Sequence, residues 1–386
     1  MAGRGKGFVG HVPAGLYWKT RFFGHTSGMW KRLSGLESGV LRNDIASIRV
    51  DRPIYIAGVA RSGTTILTEM LARHPDVTSH RYSDFPNVFT SYWRNWIADR
   101  VRRAPPEAVE RTHKDRLMVT TESPEAVEEA IWMLFFDNLH CPEISQIMDA
   151  AVENEAFERF YLDHIRKLLL VRGKSRYLAK GNYNISRLGY IRKMFPDARF
   201  LVPVRNPVNH IASLVKQDRL FQAASGEDSR VTEQLHRSGH FEFGPDKRCI
   251  NVGDSDEARE IQAHWAAGRT ALGWAMYWNA IYRSVRCLVE RDRDLAEAVH
   301  FVRYEELCRE PEKIIDSLVA HVDLPAEPFE PVRREFAARL SEPDYYRVDF
   351  SAEDLDAIWT VVRTTASSFG YVPAASAESP GSSTSY

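Results

Sequence analysis

The segment that most constrains the fold begins with Pro53 to Ala60 (PIYIAGVA), a nearly continuous apolar stretch that stops at Arg-Ser-Gly. A short apolar run without polar alternation reads as a strand buried on both faces, as in a parallel sheet. Ile66, Leu67, Met70 and Leu71 then share one helical face, and the pattern stops before Pro75. The order strand, tight turn, helix encloses Gly58-Val59-Ala60-Arg61-Ser62-Gly63-Thr64-Thr65, the GxxxxG frame of a phosphate-binding loop. Glycines let backbone N–H groups converge there, and the helix turns its positive end toward an anion. In a nucleoside-triphosphatase loop a lysine follows the second glycine and reaches the β and γ phosphates. Thr64 stands at that position here, and the cation is Arg61, inside the loop, where its guanidinium can fork onto anionic oxygens.

The same grammar recurs twice. Ala198 to Val204 is an apolar strand followed by Arg205-Asn206-Pro207 and a helical pattern through Ile211, Leu214 and Val215, with Asn206 as N-cap and Pro207 preset at the first helical position. Val299 to Val302 leads into Arg303-Tyr304-Glu305-Glu306-Leu307 and a helix around Ile314 to Val319. Strands alternating with helices predict an α/β fold of P-loop type, three layers α/β/α around a mainly parallel central sheet with helical insertions. A strand of the Walker B kind would end in an aspartate for magnesium, whereas this one ends in Arg205, which disfavours metal-dependent nucleotide hydrolysis. Arg205 and Ser213, a guanidinium at a strand end and a hydroxyl about two helical turns on, suggest a second anion site.

Around this centre the 386 residues divide into a basic aromatic arm (1–50), an α/β domain (51–373) and a tail (374–386) whose Ser/Ala/Gly/Pro composition predicts disorder. The arm sets eight Lys/Arg, from Arg4 and Lys6 to Arg42 and Arg49, against Glu37 and Asp44, interleaved with Tyr17, Trp18, Phe22, Phe23 and Trp30. It reads best as packed on the domain, with peripheral contact to anionic headgroups at the inner membrane surface as the second reading. Helices at Ala126–Leu139 and Phe157–Val171 fall in a helical cap at about 85–175. Residues 225–256, rich in Gly, Ser, His and charge without periodicity, mark a surface insertion or mobile lid at about 218–262. Trp274 and Trp278 sit at helical spacing, which favours core packing over a pocket lining. A net charge of −1 excludes a whole-molecule field for nucleic acid. Cys141, Cys249, Cys287 and Cys308 form neither a zinc pattern nor a disulfide framework, which fits a reducing cytoplasm. The longest uncharged apolar stretch, Thr270 to Tyr282, falls short of the roughly 20 residues a membrane span needs.

With one anion held in a loop and a phosphate held elsewhere, the chain resembles the sulfotransferase family. Arg61-Ser62-Gly63-Thr64-Thr65 looks like that family's 5'-phosphosulfate loop, and Val204-Arg205-Asn206-Pro207 through Ser213 looks like its 3'-phosphate motif. Phe195 to Phe200 and Val302 to Leu307 are similar to further family segments, and the likeness runs from about Pro53 to about Leu324. The resemblance implies 3'-phosphoadenosine 5'-phosphosulfate as donor and no metal. Arg61, Ser62, Gly63, Thr64, Thr65, Arg205 and Ser213 are then its contacts. The acceptor is a hydroxyl or amine of a small molecule, glycan or lipid.

The general base is less legible. Cytosolic relatives carry a Lys-x-His segment, and Lys180-Gly181-Asn182 keeps the lysine but places at the histidine position an amide that cannot accept the proton. Other branches use a glutamate soon after the loop helix, where His80-Arg81-Tyr82-Ser83-Asp84 stands here. Asp84 is therefore the leading candidate and His80 the second, with Lys180 a contact to the transferring group. Two alternatives stay open at this point: a P-loop kinase or other nucleoside-triphosphate enzyme, and a nucleotide-binding pseudoenzyme that has lost its base.

Overall fold

The computed structural model describes residues 12–101, 109–110, 118–341 and 349–373. The strands are β1 (Ile54–Ala57), β2 (Val77–Ser79), β3 (Val109–Glu110), β4 (Met118–Val119), β5 (Arg176–Gly181), β6 (Arg199–Val204) and β7 (Val299–Arg303). Five of them form one parallel sheet in the order β2-β5-β1-β6-β7, and β3 and β4 pair separately as an antiparallel ribbon.

Alternation along the strands explains why their sequences read as uninterrupted apolar runs. Tyr55, Ala57, Tyr177, Ala179, Phe200, Val202 and Val204 enter one core, and Ile54, Ile56, Leu178, Leu201 and Val302 enter a second on the opposite face. The first core is closed by helices Glu155–Arg172, Pro207–Glu227, Thr270–Arg291 and Ala352–Ser368. The second is closed by Thr64–Leu71, Pro311–His321 and Glu330–Arg339. The architecture is thus the expected three-layer α/β/α fold. Trp274 and Trp278 are buried in the first core, as their helical spacing predicts.

From β1 the chain moves to one edge through β2 and β5, and to the other through β6 and β7. The helices following β1 and β6 consequently pack on opposite faces, which opens a crevice at the carboxyl ends of these neighbouring strands. Both anion motifs start there.

Three helices, Ala14–His25, Ser27–Val40 and Arg42–Ala46, occupy the described part of the arm. Its inner face docks: the Tyr17 hydroxyl donates to Glu233 at 2.9 Å, Thr20 to Gln234 at 2.6 Å, and Lys167 pairs with buried Glu37 at 2.8 Å. Trp18, Phe22, Leu36 and Val40 remain exposed on its outer side. Arg4, Lys6 and the predicted tail lie outside the described residues. No described helix is long and apolar enough to cross a membrane.

The expected lid needs correction. Helix Pro207–Glu227 and a short helix, Arg230–Arg237, take up its first part, and the irregular chain that follows is packed inward, with Phe241, Phe243, Cys249 and Ile250 buried. A buried Lys247–Asp218 ion pair at 2.9 Å pins it, and Asp218 also accepts the Gly244 amide at 3.1 Å. Irregular backbone tolerates burial when its polar groups find such partners.

Candidate active site

The phosphate-type loop has the backbone that its sequence demands. Gly63 caps helix Thr64–Leu71 at φ 110°, and a Cβ added there would come within 2.7 Å of the Tyr304 ring, so only glycine fits. No side chain caps this helix, leaving its amino end directed at the crevice. Arg61 itself adopts φ 70°, an uncommon conformation for a residue with a side chain.

The two motifs, far apart in sequence, converge. Arg61 Nε donates to Ser213 Oγ at 3.2 Å, and Arg205 Nη1 lies 3.5 Å from the Arg61 carbonyl. The Tyr304 ring lies 5.3 Å from the Arg205 guanidinium carbon. Helix Pro207–Glu227 is anchored as predicted, with Asn206 Oδ1 accepting from the amides of Val208 and Asn209 and Pro207 in the first turn. The converging donors are cationic and tied to one another, which suits anionic groups.

Several supporting residues had escaped sequence reasoning. His210, one turn before Ser213, donates Nε2–H to the Ala60 carbonyl at 2.8 Å and so ties the second motif to the first. Burial, reinforced by the charges of Arg205 and Arg61, lowers its pKa to about 3, which keeps it neutral in this role. Glu305 accepts the Asn206 amide at 2.8 Å and the Tyr371 hydroxyl at 2.6 Å, fixing the strand end that carries Arg205. The spacing of His210 and Ser213 on one helical face was the available signal for the first. Nothing local pointed to the second.

Among the remaining site residues expected from sequence, Thr64 is largely buried and Thr65 is partly open. Ser62 is 0% exposed, with its hydroxyl beside Gly58.

Lys180 does reach the loop. It follows Ala179 on β5 and so points to the face that carries helix Thr64–Leu71, with Nζ 3.4 Å from Thr65 Oγ1 and 3.1 Å from Glu125 Oε1. The neighbouring strand thereby delivers the ammonium that Thr64 lacks.

Asp84 and His80 are spent elsewhere. Asp84 accepts from Arg172 Nη2 at 2.8 Å, the Arg81 amide at 2.9 Å, Arg94 Nη1 at 3.0 Å, His80 Nδ1 at 3.2 Å and Asn95 Nδ2 at 3.3 Å. Burial alone would raise its pKa, but the His80 hydrogen bond, the Arg172 charge, the His80 charge and the Arg81 amide outweigh that and hold the carboxyl well below the usual range. The far ring nitrogen of His80 is 2.9 Å from that of His164, whose pKa burial holds well down. A carboxylate so stabilised and only 3% exposed is a poor proton acceptor. The expectation of Asp84 as base gives way to a structural ion-pair hub.

Two arginines and a lysine thus gather at the carboxyl ends of adjoining strands of a parallel α/β sheet. A family model described as the sulfotransferase family matches residues 53–242, a span holding both motifs. The fold of the chain is similar to that of the sulfotransferase STF9 from Mycobacterium avium (15% identity, TM-score 0.50, covering 87% of this chain and 82% of that one). A second structure, the sulfotransferase STF1 from Mycobacterium tuberculosis H37Rv, has 13% identity and a TM-score of 0.44, covering 87% of this chain and 81% of that one. No curated protein matches by sequence.

Proposed function

We propose that the protein transfers a sulfuryl group from 3'-phosphoadenosine 5'-phosphosulfate to a hydroxyl or amine of a small-molecule, glycan or lipid acceptor. The observation that carries this reading is the 3.2 Å contact between Arg61 and Ser213, which joins the loop motif to the second anion motif in one crevice. In this reading the amino end of helix Thr64–Leu71, Arg61 and Thr65 hold the 5'-phosphosulfate, and Arg205 and Ser213 hold the 3'-phosphate. Negative charge grows on the departing 5'-phosphate oxygen as the sulfur–oxygen bond breaks. Donors already aimed at that oxygen lower the barrier without reorganising, and Lys180 beside Thr65 belongs to the same set.

Thr64 at the lysine position and Arg205 at the end of β6 count against a kinase. Calorimetric titration separates the readings: adenosine 3',5'-bisphosphate should bind, and ATP with magnesium should bind more weakly. Preference for ATP with magnesium would reject the proposal.

A further inference from the structure

Asn182, two residues beyond Lys180, has a carboxylate partner. Its Nδ2 donates to Glu242 Oε1 at 3.0 Å, and the Tyr183 hydroxyl donates to Glu242 Oε2 at 3.0 Å. Glu242 Oε1 in turn lies 2.9 Å from His240 Nδ1. The carboxylate therefore accepts a hydrogen bond from Nδ1–H, which leaves Nε2 as the ring's acceptor nitrogen. These groups gather at the carboxyl end of β5, two residues beyond Lys180, beside the crevice. The His240 side chain is 35% exposed, against 12% for Glu242, so the imidazole is the accessible end of the relay.

The segment bearing His240 is rigid. The His240 amide donates to the Leu235 carbonyl at 2.8 Å, and the Phe241 amide donates to the Tyr183 hydroxyl at 2.9 Å. Phe241 stacks on His140, ring centroids 4.2 Å apart. Arg248 closes the turn, its backbone amide donating to the Phe241 carbonyl at 2.7 Å.

We propose that His240 is the general base of the transfer, oriented by Glu242, which Asn182 and Tyr183 hold in place. The proposal rests on the sulfotransferase reading above. The acceptor O–H proton moves to His240 Nε2 as the acceptor oxygen forms its bond to sulfur. The sulfur–oxygen bond to the 5'-phosphate breaks, and its electron pair leaves on adenosine 3',5'-bisphosphate. Atoms and charge balance with no further reactant. Burial lowers the His240 pKa, but the facing carboxylates of Glu242 and Glu125 more than offset it, with Lys180 opposing them, so the ring is raised from its ordinary value. Glu125 is the rival base, but its carboxylate is paired with Lys180 at 3.1 Å.

The test measures consumption of sulfur-labelled donor by the full chain across pH, with water, hexanol, phenol and glucose as acceptors, alongside calorimetric binding of adenosine 3',5'-bisphosphate. His240→Gln should bind the bisphosphate like the wild type and lose about 10²- to 10⁴-fold in turnover at the best acceptor. Glu242→Gln should lower turnover and shift the acidic limb of the pH profile to lower pH, since it removes the carboxylate that raises the ring. A merely structural role would leave that limb in place. If His240→Gln fails to fold, the limb in Glu242→Gln decides. Wild-type turnover in His240→Gln, an unshifted limb, loss in Glu125→Gln alone, or bound donor that is never consumed would each overturn the base assignment. Failure of the wild type to bind the bisphosphate would instead overturn the sulfotransferase reading itself.

Discussion

Two charged clusters adjoin at the carboxyl ends of β2 and β5, and they differ in what they face. In one, Asp84 gathers His80, Arg94, Asn95 and Arg172 in the interior. In the other, Lys180 bridges Glu125 to Thr65 of the loop, next to His240 and Glu242. They meet at one peptide: the Glu125 amide donates to the His80 carbonyl at 3.0 Å. Both contain a carboxylate–histidine pair, so residue chemistry alone does not distinguish them. Access does. Where solvent is excluded and every oxygen is matched, a carboxylate is held as a charge that stabilises the fold; where one member opens to the crevice, the pair can exchange a proton with a ligand.

Breaking the closed cluster should give the largest effect on stability. Asp84→Ala leaves Arg172 and Arg94 without their anion and should cost about 3 to 5 kcal/mol in denaturant unfolding. Its pH dependence has a definite sign. Because the folded pKa is depressed, the contribution is present above the unfolded carboxylate pKa of about 3.9 and fades as pH falls below it. The gap between wild type and Asp84→Ala in urea midpoint should therefore narrow from pH 7 toward pH 3.

The open cluster should respond the other way. Lys180→Ala should reduce turnover about 10²- to 10³-fold, since it removes a donor aimed at the leaving phosphate, with a much smaller change in melting temperature. A variant as destabilised as Asp84→Ala would erase the distinction. Smaller still, Asn206→Ala removes the cap beneath Arg205 and should cost about 1 kcal/mol in thermal unfolding, with a modest loss of bisphosphate affinity.

What was legible in the sequence was local. The β1 run, the loop and its helix, and Asn206-Pro207 at the next helix all rest on neighbouring residues, and each stands as read. β2 escaped notice because three residues give no periodicity. Asp84 reads as a base from its distance along the chain to the loop helix, while burial and the reach of Arg172 from a helix 88 residues on hold it in an ion-pair hub. Asn182 was read as a missing base because its partner Glu242 lies 60 residues away. The chain around Phe241 and Phe243 reads as surface because its Gly, Ser, His and charge follow no period, yet its aromatics are buried.

The central claim is that Arg61 and Arg205 grip opposite ends of a single ligand. The most direct measurement compares calorimetric affinities for adenosine 5'-monophosphate and adenosine 3',5'-bisphosphate in wild type, Arg61→Ala and Arg205→Ala. Each lost charge-assisted contact should be worth about 1.5 to 3 kcal/mol. Arg61→Ala should weaken both ligands alike, whereas Arg205→Ala should abolish the extra affinity conferred by the 3'-phosphate and leave the monophosphate nearly unchanged. Equal weakening of both ligands by Arg205→Ala, or no effect of either variant, would contradict the account.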